Sequence, residues 1–257
     1  MDFTKILSRY ILLALCVLTL KSYNPPFHWI FIFKTIFFLI LCIYLDYLAP
    51  RINSIRYHEL NKQQDKQNNI TLGVGLTVLI NYSIHFLCLW LTMNHAKKYD
   101  LTTINFLKNY LMSFPLSIVS SFIFYYSHRL FHTKYLYGLV HKKHHVYNNP
   151  SSFVAIYSSV PDFIFSNCLS MFGPFFLFNY VHPYFIAAFS FVGICDIFIN
   201  HTSYYFKNKL MDNLIGGSHF HHVHHAKYKY NYGLNNGIFD KLHNTCDQSS
   251  LEKIEIY

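Results

Sequence analysis

The chain has 257 residues, of which 53% are hydrophobic, 19% aromatic and only 13% charged, with a formal net charge of +9. A soluble domain carries about a quarter of its residues charged, so the composition excludes a wholly water-soluble protein and indicates an integral membrane one. The basic excess invites a nucleic-acid reading, which its placement along the chain argues against.

In chain order, apolar runs predict transmembrane helices over residues 6–20, 29–48, 70–93 and 110–126, each near the ~20 residues that a bilayer requires. Lys5 and Arg9 precede the first run as in a signal peptide. No small-residue cleavage site appears before Lys21 and further spans follow, so a retained first helix is expected. A polar stretch covers 61–69. A longer apolar region, 153–199, is broken by Pro161, Gly173, Pro174 and Pro183 and predicts two helices that are re-entrant or interfacial. The expected fold is therefore all-α and integral to the membrane, with about four transmembrane helices, re-entrant or interfacial helices and a histidine-rich helical cap holding two metals.

With the N-terminus on the cytosolic side, sixteen Lys and Arg residues fall on that side and four (Lys21, Lys97, Lys98, Lys108) on the other, with Lys34 inside a span. This is the positive-inside pattern, so the charge is topological and places the histidine-rich segments in the cytosol. The acceptor sequons at Asn69, Asn81 and Asn200 then lie in the cytosol or within a span. The cysteines at 16, 42, 88, 168, 195 and 246 form no CxxC pair and five fall in apolar runs, which predicts buried thiols without a metal or disulfide role.

Eleven of the seventeen histidines lie in two stretches, around HRLFHTKYLYGLVHKKHH and from His201 to HFHHVHH. His128 and His132 are four apart, one turn on a helix face. His141, His144 and His145 stand at i, i+3 and i+4, and His221, His224 and His225 repeat the interval. These make eight candidate imidazole ligands, more than the four to six that one ion accepts, which points to two metals rather than one structural zinc. Chance HxxxH pairs on amphipathic helices and loose metal-scavenging tracts are the simpler alternatives, disfavoured by three ordered clusters. His28, His58, His95, His182 and His243 are expected at the surface or an interface, and His85 packed in a helix. His219 and His222 stand as possible outer ligands. Asp162, Asp196 and Asp240 are candidates to accept a hydrogen bond from a ligand imidazole; a turn or cap role for Asp240 is equally open.

HRLFH, HKKHH and HHVHH in this order, over about residues 110–245, closely resemble the fatty acid hydroxylase superfamily of membrane sterol desaturases, sterol methyl oxidases and lipid hydroxylases. YSSVPDF, His201 in INHTSYYF, and YNYG with FDKLHNT resemble further stretches of that family, where Phe239 and Asn244 replace the family's Trp and Gly. The resemblance implies a ninth ligand, His201, oriented by Asn200. It also implies a division into N-terminal transmembrane helices (1–109) and a catalytic region (110–257) within one structural domain.

The resemblance further implies an O2-dependent lipid oxidoreductase with two iron ions, or zinc in isolated protein, because histidine sites accept both. A sterol is the leading substrate, and a sphingoid or fatty-acyl hydroxylase or desaturase is the alternative within the family. Electrons would come from cytochrome b5 and its reductase, since the chain carries no haem, flavin or nucleotide-binding motif of its own, and the expected location is the endoplasmic reticulum membrane. A metal-binding or metal-transport protein is the reading of another class, which expects ligands in the middle of spans. A catalytically dead lipid-binding relic is opposed by the complete histidine set.

Overall fold

The computed structural model describes residues 3–48, 54–56, 70–178, 180–202, 204–206, 218–233 and 237–247. Among the described residues six helices are long and apolar enough to cross a bilayer: α1 (Ile6–Tyr23, helical from Phe3), α2 (Phe27–Leu48), α3 (Leu72–His95), α4 (Thr103–Phe131), α5 (Val160–Leu177) and α6 (Pro183–Asn200). Short helices α7 (Ser218–Lys227) and α8 (Ile238–Leu242) complete the cap. The strands Ser54–Arg56 and Tyr204–Phe206 pair antiparallel, with Ile55 opposite Tyr205.

The broken apolar region becomes two full helices. The turn between α5 and α6 lies against the turns that follow α1 and α3: Tyr99 donates to the Tyr180 carbonyl at 2.8 Å, the His182 N–H donates to Asn109 Oδ1 at 2.7 Å, and the Tyr184 hydroxyl bonds Asn24. The pair therefore runs the whole depth of the bundle rather than dipping part way. Its helices are also the bundle's centre, with 50% and 56% of their residues buried against 11–33% for α1 to α4. Met171, Phe172, Phe175, Phe185 and Ile186 pack there with Leu13 and Val17 of α1 and Phe86 and Leu89 of α3. The outer four helices turn Leu, Ile and Phe side chains outward, as lipid contact requires.

Helix α4 begins seven residues before the apolar run at 110. The Thr102 hydroxyl accepts from the Asn105 N–H at 3.3 Å, a cap that starts the helix, and the polar Asn109 in its early turns is buried against Tyr99 and His182. With 29 residues and 1.5 Å per residue the helix is about 43 Å long, so it exceeds a ~30 Å hydrocarbon core and its last turns carry His128 beyond it. Because the α5–α6 pair goes down and back, His201 directly after α6 returns to the same end. All six cysteines are free thiols.

Candidate metal centre

The histidines gather at the end of the bundle to which α4 and α6 lead. They form two groups, His128, His132, His141, His145 and His224 in one and His144, His201, His221 and His225 in the other, the nitrogens within each lying within 4.8 Å of one another. The groups interlock. His141 and His145 serve the first group while His144 between them serves the second, and His221 and His225 serve the second while His224 serves the first. The rings of His145 and His225 lie 4.6 Å apart across the boundary. The middle histidine segment is not a regular α-helix: a π-turn over Tyr137–His141 is followed by a 3-10 turn over His144–Val146. That change of pitch, common at functional sites, lets neighbouring residues supply different groups.

The tautomers follow from the partners of Nδ1. His128 Nδ1–H donates to the Tyr232 carbonyl at 2.7 Å, His224 to Tyr230 and His201 to Ile197 at the same distance, and His141 donates to Asp162 Oδ2 at 2.9 Å. A carbonyl or carboxylate only accepts, so these four rings carry their proton on Nδ1 and offer a bare lone pair at Nε2. Those lone pairs converge. Nε2 of His128 and of His145 each lie 3.0 Å from Nε2 of His141, and Nε2 of His221 lies 3.0 Å from that of His201. The contact between the Nε2 atoms of His128 and His141 thus has no proton to share and is repulsive unless a cation lies among them. Two nitrogens at right angles on one ion, each bound at about 2.1 Å, would be about 3.0 Å apart. Among the described residues the buried Nε2 of His132 has no hydrogen-bond partner, as expected of an atom reserved for a metal. The donor set fits transition-metal ions.

Burial keeps the cage neutral. It holds His132 down to about 2, His141 to about 3 and His201 to about 4 against an ordinary value of 6.5, and it lowers His144, His145, His221, His224 and His225 well below that value. In all eight the leading cause is loss of water; neighbouring imidazoles add to it in His132, His144, His145, His221, His224 and His225, while the Ile197 carbonyl partly offsets it in His201.

Of the acids proposed as imidazole partners, Asp162 takes that role on His141. It is fixed by the Ser166 hydroxyl at 3.1 Å and by its own N–H on Ser159 Oγ at 3.3 Å. Asp196 does not, because it is bound to Arg9 instead. Asp240 hydrogen-bonds no imidazole among the described residues: it accepts the N–H groups of Tyr232 and Gly233 at 2.8 and 2.7 Å and the Thr245 hydroxyl at 2.9 Å. It thereby holds the loop whose Tyr232 carbonyl orients His128. Gly233 is required there, since a Cβ would lie 2.5 Å from Asp240 Oδ2. Asn200 does not orient His201, whose Nδ1 is taken by Ile197. His219 and His222 belong to neither group. Of the histidines expected at the surface or an interface, His182 is buried where the α5–α6 turn meets Asn109 of α4, and half-buried His243 shares a 2.6 Å hydrogen bond with Tyr126 and stacks on Tyr125. His58 and Asn69 lie outside the described residues. Residues that sequence reading missed are Ile197, Tyr230 and Tyr232, which act through backbone carbonyls and so leave no signal in side-chain identity.

Replacing Asp162 by Asn removes the charge facing His141 while keeping the shape. The expected outcome is metal affinity weakened about 10- to 100-fold with the chain still inserted, measured by titration against a chelator of known affinity.

Beneath the cage a small pocket of ≈ 30 Å³ is lined by His128, His141, His144, His201 and His221 together with Phe124, Asn167 and Ile197. The last three also line a chamber of ≈ 300 Å³ among α1, α4, α5 and α6. The metal-capable groups therefore face an apolar cavity inside the bundle, not bulk water.

Comparison with known proteins gives the same region of the chain. A 145-residue stretch, 54% of this chain, is 32% identical to the Delta(7)-sterol 5(6)-desaturase erg31 of Schizosaccharomyces pombe. Methylsterol monooxygenase 2-2 of Arabidopsis thaliana is 30% identical over 112 residues, 42% of this chain, and the human fatty acid hydroxylase domain-containing protein 2 is 28% identical over 130 residues, 50% of it. These matches span 45%, 41% and 36% of the respective relatives, less than half the length of each. No solved structure matches the chain. The model of the fatty acid hydroxylase family covers residues 114–245, from the middle of α4 to the Thr245 that steadies Asp240, and with just over half of its length matched the chain belongs to that family.

Proposed function

We propose that the protein is a membrane-bound lipid oxygenase whose nine histidines (His128, His132, His141, His144, His145, His201, His221, His224 and His225) hold two iron ions, and that its substrate is a sterol. The observation that carries this reading is the pair of interlocked all-histidine groups opening onto an apolar chamber within the membrane bundle. The metal-transport alternative expects ligands midway along spans, whereas these lie at span ends.

When bound, the metals supply oxidation of an unactivated C–H bond by dioxygen. In hydroxylation one oxygen atom enters the lipid and the other leaves as water, with two electrons and two protons supplied from outside. The chain's own part is placement. The carbonyls at 197, 230 and 232 and the Asp162 carboxylate hold Nδ1 protons so that Nε2 points inward, the chamber admits an insoluble molecule sideways, and burial keeps water from the cage. Cytochrome b5 with its reductase supplies the electrons at the cytosolic face of the endoplasmic reticulum. The relatives' names, desaturase and monooxygenase alike, leave desaturation as the second reading.

Lipid profiling of cells with and without the protein tests this. A sterol that accumulates without the protein, matched by one bearing an added oxygen or lacking two hydrogens when it is present, supports the reading. Unchanged sterols with a changed sphingoid or fatty-acyl species transfer it to the family's other substrates, and an unchanged lipidome contradicts it.

Orientation is testable separately. Asn81 is fully buried, donating to the Ile156 carbonyl at 2.8 Å, and Asn200 is buried beside His201. Neither is expected to carry sugar, nor is Asn69, whereas an acceptor engineered into the loop between α3 and α4, set far enough from both spans, is expected to be modified. Sugar on Asn200, read by a mobility shift reversed by an endoglycosidase, would put the cage in the lumen and exclude a cytosolic electron donor.

A further inference from the structure

The chamber among α1, α4, α5 and α6 is largely apolar, with neutral polar side chains along α4 and α5 (Ser117, Ser120, Ser121, Asn167, Ser170) and charge at one place. Leu13, Phe114, Ile118, Phe189 and Val192 line it, and among the described residues its charged groups are Arg9 and Asp196. Arg9 Nε donates to Asp196 Oδ1 at 2.8 Å, and the two side chains are 24% and 26% exposed. Both groups therefore open onto the chamber. Neither makes a further hydrogen bond among the described residues, which leaves the terminal guanidinium nitrogens as donors and Asp196 Oδ2 as an acceptor. An ion pair in an apolar wall at membrane depth is costly unless its remaining polar atoms are matched. Tyr10, the chamber's other ionisable group, is already engaged with Ser117 at 3.0 Å.

The pair sits near the cage. Asp196 precedes His201 by five residues of α6, about 7.5 Å of rise, and between them Ile197 lines both the chamber and the pocket beneath the histidines. Asn167 stands at the same junction.

We infer that Arg9 and Asp196 together anchor the hydroxyl head of the lipid that fills the chamber, and so select uncharged hydroxyl lipids over anionic ones; this rests on the lipid-oxygenase reading above. A hydroxyl both donates and accepts, so it satisfies Asp196 Oδ2 and an Arg9 N–H at once. A sulfate or carboxylate head can use only the Arg9 donors and meets the charge of Asp196. A methyl ether can accept but has nothing to donate to Asp196.

The test uses the purified full chain in phosphatidylcholine nanodiscs, where binding is measured without turnover. The probes are cholestanol, its methyl ether and its sulfate ester, with octadecanol and its two matching derivatives as the chain-lipid series. Wild-type protein is expected to bind the alcohol of at least one series about tenfold or more tighter than the ether or the sulfate. Asp196→Leu, which removes the acceptor, is expected to bring the alcohol down to the level of the ether while leaving the ether's affinity unchanged, and Arg9→Gln to weaken alcohol and ether together through the altered donor. Equal wild-type binding of alcohol and ether, tightest binding of the sulfate, or no binding of either alcohol overturns the inference. So does an Asp196 variant that weakens alcohol and ether alike, since that is the mark of a pin between α1 and α6. If a variant does not fold, the wild-type comparison decides alone. An alcohol preference in a protein that leaves the lipidome unchanged sinks the oxygenase reading and keeps the anchor, and the reverse outcome sinks only the anchor.

Discussion

His224→Ala and His144→Ala are each expected to lower turnover at least about 100-fold, because even the loss of an outer partner of a ligand costs 10- to 100-fold in affinity or activity. The two substitutions strike different groups. The first leaves four histidines in the group of His128, and the second leaves three in the group of His201. Each side chain is small and replaced within a cap rather than within a span, so both variants are expected to reach the membrane at near wild-type levels. His243→Ala is the control. It breaks the hydrogen bond to Tyr126 and the stack on Tyr125, costing about 1 kcal/mol of stability, and leaves metal content and turnover intact. Product formation measured beside membrane-fraction abundance checks all three, and equal losses in the three would mean that membership of a histidine group carries no information.

Acidification is expected to destabilise the cap steeply below pH 6.5. His201, His141 and His132 are held at about 4, 3 and 2 in the fold, below an ordinary 6.5. Above 6.5 these side chains are neutral in both folded and unfolded chain, so their contribution is fully present there. Between 6.5 and the folded values the unfolded chain binds protons that the folded cage cannot, and stability falls as pH falls, by up to about 1.4 kcal/mol per unit for each such histidine. Bound metal acts in the same direction, because only neutral imidazole ligates. Thermal unfolding and retained metal measured from pH 7.5 to 4.5 are expected to decline together, beginning near 6.5. A flat profile through that range would contradict a buried, neutral cage.

The metal-capable residues were legible because imidazole is chemically conspicuous and because HxxxH and HxxHH intervals limit which rings can meet. Their division was not. Nothing in HKKHH says that His144 leaves its neighbours for the other group, since the π-turn over Tyr137–His141 and the 3-10 turn after it are set by tertiary packing. The spans were legible as apolar runs, but the start of α4 was hidden by Asn105, Lys108 and Asn109, polar residues that a cap at Thr102 carries into the helix. Pro and Gly between 153 and 199 suggested re-entrant helices. In the fold Pro161 sits in the first turn of α5 and Pro183 at the start of α6, positions where a missing N–H costs nothing, so both helices reach full length. Asp196 was read as a partner for an imidazole, but its partner, Arg9, lies 187 residues away and no local pattern could name it.

Metal counting on the purified protein is the most direct measurement of the central claim. After anaerobic reconstitution with ferrous iron and removal of loosely held ions, elemental analysis against amino-acid-quantified protein is expected to give two irons per chain, falling when either His144 or His224 is replaced. One ion or fewer per chain in wild-type protein, unimproved by reconstitution, would contradict two interlocked metal sites.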